Sequence, residues 1–175
     1  MAKTVFDTIK KQAGNRDLSL NWYKKKIGEL SNRISASRLL KSGKLRQAPR
    51  FNRLHFFRYD PKTKATLPYY DMFPLVMPIQ TAPGGFLGIN FHYLPIPARM
   101  ALLEALDKRN FKGDYSKLKN VKYIKPTIKH YLRSQFVSGF LNMEEEDYAP
   151  AIFMPVAQWR KSSQSQVWQD SRRRF

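Results

Sequence analysis

Two apolar, aromatic runs stand either side of a tight turn near the middle of the chain. Phe73 to Ile79 and Phe86 to Leu94 are separated by Thr81-Ala82-Pro83-Gly84-Gly85. Such a pattern predicts an antiparallel β-hairpin, with 73–79 pairing with 86–94. The glycines fit because hairpin turns need positive φ, which a residue with a Cβ resists. Pro74 and Pro78 each remove a ladder donor, so their strand should lie at a sheet edge or carry a bulge. Ahead of the hairpin, Leu54-His55-Phe56-Phe57-Arg58-Tyr59 reads as a further strand, followed by a polar loop from Asp60 to Pro68. Behind it the period changes. Met100, Leu103 and Leu106, with Leu102 beside them, recur at helical spacing, and Pro97 suits a first helical turn. Residues 54–106 are thus expected to form one compact unit of strand, hairpin and helix.

The flanks carry weaker patterns. Thr4 to Ala13 predicts a short helix with Val5, Phe6 and Ile9 on one face and Gly14 closing it. Ser19 suits the N-cap of a second helix, Leu20 to about Ile34, whose apolar stripe is Trp22, Tyr23, Ile27, Leu30 and Ile34. A third helical piece runs from Ala36 to Lys41. Beyond the central block, Asp107 to Val121 reads as a lysine-rich connection. Ile124-Lys125-Pro126 is expected to open a helix reaching Ser134, with Ile128, Tyr131 and Leu132 inward. Gln135 to Leu141 fits either a short strand or a continuation of that helix, and Ala149 to Pro155 a short extended piece. The fold class is α+β: a small hairpin-centred core packed by short helices, with extended terminal arms. Three segments follow: a basic helical N-terminal arm (1–53), a central α+β domain (54–142) and an extended C-terminal arm (143–175).

Composition narrows the function classes. No apolar run in the 175 residues approaches the roughly 20 needed for a membrane-spanning helix. The chain has no cysteine, which removes disulfides and thiolate chemistry. No membrane partner and no cofactor is expected.

Charge changes the picture most. Thirty-two Lys and Arg against thirteen Asp and Glu give a net +19. A chain so basic attracts polyanions, nucleic acid above all, although acidic faces of neighbouring proteins remain an alternative. Residues 1–53 hold fourteen Lys and Arg against three acids. The candidate contacts are Lys24, Lys25 and Lys26 on the second helix, then Lys41, Lys44, Arg46, Arg50 and Arg53 along a basic linker. At the C-terminus Arg172, Arg173 and Arg174 form a triplet. Trp159, Trp168 and Phe175 lie in a polar tail with few apolar neighbours, so they are expected to anchor in a partner's groove. Glu144-Glu145-Glu146-Asp147 gathers four of the thirteen acids. It reads as a solvated loop or as a dock for a basic arm, one from a neighbouring copy included.

Catalytic constellations are thin. His55 and His92, with Asp60 and Asp71, are the residues that could hold a divalent metal in a nuclease-like site. Both histidines are interleaved with aromatics, as core histidines are, and no close metal-ligand spacing fixes a geometry; no metal is expected. Gly84 to Gly88 lacks the lysine of a phosphate-binding loop, and no Gly-x-Ser-x-Gly elbow occurs. A non-enzymatic protein is the expectation.

The central block also carries a resemblance. Phe57-Arg58-Tyr59-Asp60-Pro61-Lys62, Leu67-Pro68-Tyr69-Tyr70-Asp71, Phe73-Pro74-Leu75-Val76 and the later Gly85-Phe86-Leu87-Gly88-Ile89-Asn90-Phe91-His92-Tyr93-Leu94-Pro95 resemble a segment of small virion proteins of T4-like, contractile-tailed bacteriophages. Members of that group serve as DNA end protectors or as neck and baseplate components. The resemblance implies a structural tail, neck or baseplate protein of the virion, made in the host cytoplasm and docked to other virion proteins through its arms. The alternative is a protein that binds double-stranded DNA ends and protects them from host exonuclease. It supplies no catalytic residues.

Overall fold

The computed structural model describes residues 3–173 and contains six α-helices and eight strands. The helices are α1 (Val5–Ala13), α2 (Leu20–Leu30), α3 (Ala36–Ser42), α4 (Ile96–Asp107), α5 (Tyr148–Ala151) and α6 (Gln164–Arg173). The strands are β1 (Leu45–Arg46), β2 (His55–Phe56), β3 (Tyr70–Asp71), β4 (Leu75–Ala82), β5 (Gly85–Asn90), β6 (Ile128–Leu132), β7 (Phe140–Leu141) and β8 (Trp159–Arg160). The α+β class expected from the pattern holds.

The hairpin forms as expected, with β4 antiparallel to β5 and Val76 opposite Asn90. Gly84 takes the turn at φ 75°. Gly85 cannot be anything larger, because a Cβ there would sit 1.8 Å from the carbonyl oxygen of Tyr131. In the four-stranded sheet β2-β4-β5-β6, β4 is internal and the register shifts between Pro78 and Gln80. Of the two accommodations open to a proline-bearing strand, the bulge is the one used. The second run leaves the strand early. Asn90 Oδ1 accepts from the amide of His92 at 2.9 Å, and Phe91–Tyr93 close into a 3₁₀ turn.

Successive side chains of β4 enter different cores. Leu75 and Met77 join the main cluster, whereas Val76 joins an aromatic cluster with Phe57, Tyr59, Phe86, Tyr131 and Phe140. A sheet buried on both faces reads as an unbroken apolar run, which is why strict alternation is missing from the sequence. Phe57 sits at the centre of the second cluster, with ring centroids 4.9 Å from Phe140 and 5.3 Å from Phe136.

The helix expected from Ile124 to Ser134 does not form. Lys125–Thr127 make one 3₁₀ turn, and Ile128–Leu132 then add to the free side of β5, from Ile128 opposite Ile89 to Leu132 opposite Gly85. Five pairings with a preformed hairpin outweigh a weak local helical preference. Of the two readings of 135–141, the strand is realised at Phe140–Leu141, paired with Leu45–Arg46 of the basic linker. The piece expected to be extended at 149–155 instead begins within α5, where Tyr148, Ala151 and the following Ile152 are buried.

Both flanking segments pack against the centre more fully than a picture of core-less arms allows. α1 is capped by Thr4, whose hydroxyl accepts from the Asp7 amide while the Asp7 carboxylate accepts from the Thr4 amide. Phe6, Ile9, Ile27, Ile34 and Leu39 from the first 53 residues belong to the main core. The C-terminal tryptophans, expected to bury against a partner, pack within the protomer. Trp159 meets Tyr93 edge-on at 4.8 Å. Trp168 Nε1 donates to the His92 carbonyl at 3.0 Å, and its ring faces the buried Arg99 guanidinium at 5.6 Å. Val167 between them is fully buried. The reason lies in α6: Val167, Trp168 and Ser171 share one face at helical spacing, enough to dock a single polar helix.

Candidate nucleic-acid interface

The candidate cations fall into two groups once their partners are placed. Lys26 pairs with Glu29 at 2.8 Å and lies 5.5 Å from the Trp22 ring centroid. Arg53 pairs with Glu145. Arg50 is structural: its guanidinium donates to Asn142 Oδ1 at 3.1 Å and to the Met143 carbonyl at 3.3 Å. Lys24, Lys25, Lys41, Lys44, Arg46, Arg172 and Arg173 are exposed, and among the described residues no ion pair engages them. Arg174 and Phe175 lie outside the described residues.

The acidic run 144–147 takes up this chain's own basic segment. Lys10 Nζ lies 3.0 Å from Asp147 Oδ1 and 3.5 Å from Glu146 Oε1, beside the Arg53–Glu145 pair. The run also borders a cleft of about 360 Å³, where Glu145 and Glu146 are joined by Asp17, Glu104 and Asp107. Five of the thirteen acids of the chain therefore face one concavity.

The complementary feature is a basic cleft of about 300 Å³ where α1, the 3₁₀ turn after α2, and α3 meet. Lys3, Arg33, Arg38 and Lys41 line it with Val5, Leu39 and Ser42, and no acid does. α3 sets the spacing. Ser35 caps it by accepting from the Arg38 amide at 3.2 Å, and Arg38 and Lys41, three residues apart, project from one face. Arg38 is steadied by a 3.3 Å bond to the Asn32 carbonyl, and Arg58 reaches the neighbouring Ser37 hydroxyl at 3.2 Å. Four cations around a small concavity suit phosphate oxygens, which they meet without reading bases. Of these residues the sequence pattern singled out Lys41 alone. The three-residue spacing of Arg38 and Lys41 was a usable signal; Lys3, Arg33 and Arg58 join only through the tertiary fold.

The histidines and aspartates considered for a metal do not converge. Asp60 pairs with Lys64, and His55 lies against Phe140. Asp71 and His92 form a buried pair at 2.6 Å. Among the described residues no group of three or more His, Asp or Glu is placed to hold a metal ion, and no helix is long and apolar enough to cross a membrane.

Fold and charge define a class: a cationic α+β protein with an acid-free cleft lined by four cations. The chain belongs to the family of the phage T4 terminal DNA protecting protein, whose family model matches residues 4–171. The kinship that the central block suggested thus extends over nearly the whole chain. No curated protein and no solved structure matches it.

Proposed function

We propose that this protein binds the ends of linear phage duplex DNA and shields them from exonuclease, without itself cutting DNA. The observation that carries the reading is the family match across residues 4–171 to a terminal DNA protecting protein. The net charge of +19 and the acid-free cleft supply a physical route to it. Lys and Arg displace condensed counterions from the phosphates, giving affinity that is independent of sequence and falls steeply with salt. A protein seated on the last base pairs then denies a nuclease the terminus it must engage. Copies bound in this way would accompany the genome into the virion. A role in the tail, neck or baseplate has no such support.

The test is digestion of linear duplex by a processive exonuclease at moderate salt, with and without saturating purified protein. Protection that weakens as salt rises is expected. Digestion at an unchanged rate, with the protein present in excess, overturns the proposal.

A further inference from the structure

A cavity of about 420 Å³ opens between the 60–70 loop and the sheet, and five of its lining residues are tyrosines: Tyr59, Tyr69, Tyr70, Tyr93 and Tyr131. Such a volume falls in the range of small-ligand pockets, roughly 300–1,000 Å³. The tyrosines come from four separate segments. Tyr59 and Tyr131 meet at 4.9 Å between centroids, and Tyr69 and Tyr93 at 6.0 Å. Cations accompany them: Lys62 is exposed at the rim, and Lys129 Nζ lies 4.4 Å over the Tyr93 ring.

The one acid in the lining is Asp71, and its charge is spent inward. Its oxygens accept from the amides of Phe73 and Gln158, from Asn90 Nδ2 and from His92 Nδ1. The electrostatic character of the cavity is therefore set by its lysines. The loop forming its outer wall is also fixed. Lys161 Nζ donates to the carbonyls of Lys64, Ala65 and Leu67 at 2.6, 3.2 and 3.0 Å, and Lys64 pairs with Asp60 at 3.0 Å. Tyr59, Tyr93 and Tyr131 are buried and form the floor, so the ring surface open to a ligand is that of half-buried Tyr69 and Tyr70. Aromatic faces beside cations can stack a nucleobase of any sequence while the cations meet its phosphate.

The cavity and the basic cleft share no lining residue, but the chain connects them at consecutive positions. Arg58 reaches Ser37 beside the cleft, and Tyr59 lines the cavity. We infer that the tyrosine cavity takes the unpaired terminal nucleotide of a DNA end, stacking its base while the basic cleft holds duplex phosphates. This rests on the end-binding reading and adds what separates an end from the duplex interior: only a terminus offers a base free to leave the stack cheaply.

The test uses the full chain and three short duplexes: one carrying 2-aminopurine as an unpaired 3′-terminal nucleotide, one carrying it internally, and one with both ends closed by hairpins. Strong quenching of the terminal probe, but not the internal one, is expected on binding. The open duplex should bind roughly tenfold more tightly than the hairpin-closed one, within what stacking one base supplies. Tyr70→Ala and, at the exposed rim, Lys62→Gln should bring that ratio towards one by weakening open-duplex binding more than hairpin-closed binding. A terminal probe that stays bright in a saturated complex, or a ratio of one, overturns the cavity assignment while end binding stands. Failure to bind any duplex overturns end binding itself. Free 2-aminopurine deoxyribonucleoside monophosphate, quenched as strongly as the terminal probe while the two duplex affinities are equal, would mark a site for free nucleotides and also overturn the inference.

Discussion

Asp71 Oδ2 accepts from His92 Nδ1 at 2.6 Å, with neither side chain exposed. Burial pushes the Asp71 carboxyl up, but the His92 ring and the amides of Gln158 and Phe73 outweigh it and hold the group below the usual carboxylate range. Burial draws His92 down, and Asp71 offsets this only in part. At neutral pH the pair is a carboxylate and a neutral ring whose Nδ1–H donates. This carboxylate ties β3, the end of β5, the 3₁₀ turn after it and the C-terminal segment at Gln158 to one point.

Asp71→Ala should therefore be severe. It strands four donors drawn from separate stretches of the chain, and removes the acceptor that holds residue 158. A loss of about 3–5 kcal/mol is expected, as for a buried charge network deprived of one partner. Urea unfolding gives the magnitude, and limited proteolysis should show new cleavage near 156–163. A change below about 1 kcal/mol, the worth of an ordinary hydrogen bond, would show that the network is not the tie described.

Acid sensitivity should come from His55. Its ring is buried, Nδ1 faces the Arg53 carbonyl at 2.9 Å, and Nε2 accepts from the Arg50 amide at 3.1 Å. Only the neutral tautomer with hydrogen on Nδ1 satisfies both. Burial is the main reason its pKa falls to about 4, with Arg50 and Arg46 pushing the same way. The folded state thus binds the proton less readily than the unfolded chain does. Stability is full above the unfolded value near 6.5 and declines as pH falls from there towards about 4, by on the order of 3 kcal/mol. Thermal melts across that window should show the decline in the native protein and a shallower one in His55→Gln. Equal slopes would remove His55 from the account.

The C-terminal helix should be a stability element. Val167 is fully buried, Ser171 nearly so, and Trp168 bonds to the His92 carbonyl. Trp168→Ala should cost about 2 kcal/mol, less than a fully buried tryptophan because part of the ring is open to solvent. Truncation after Pro155 should lower the melting temperature further. A truncated chain with native thermal stability would show that this helix is an appendage.

The basic cleft makes a salt-dependence prediction. Arg38→Gln with Lys41→Gln should weaken duplex binding equally for unrelated sequences. The slope of log affinity against log salt should become shallower by roughly 0.9 for each phosphate the variant no longer neutralises. An unchanged slope would place the DNA elsewhere on the surface.

How much of this was legible in the sequence depended on how local the cause was. The hairpin, its turn, the three N-terminal helices and α4 have their signals within a few residues of themselves: Pro83-Gly84-Gly85, the Ser19 cap, Gly14 closing α1, and apolar spacing. β6 was not legible as a strand, because Ile128–Leu132 owes its form to the free side of β5 rather than to its own composition. The tail misled for the same reason. Trp159 and Trp168 have few apolar neighbours in sequence, yet Tyr69, Tyr93 and Arg99 wait for them across the fold. In the basic region, charge alone does not say which cations are taken up within the protomer: Arg50 and Arg53 are, while Lys3, Arg33 and Arg38 line a cleft with Lys41.

The separation of the acids has a consequence for motion. Five carboxylates line one cleft and four cations another, and the two share no residue. Glu145 and Glu146 are already paired with Arg53 and Lys10, which leaves Asp17, Glu104 and Asp107 as the unpaired acids of the first cleft among the described residues. A polyanion would be repelled at one cleft and drawn to the other, which favours some orientations of approach over others. On the end-binding reading, fewer encounters would be lost to misorientation, and added salt would slow association as well as weaken binding.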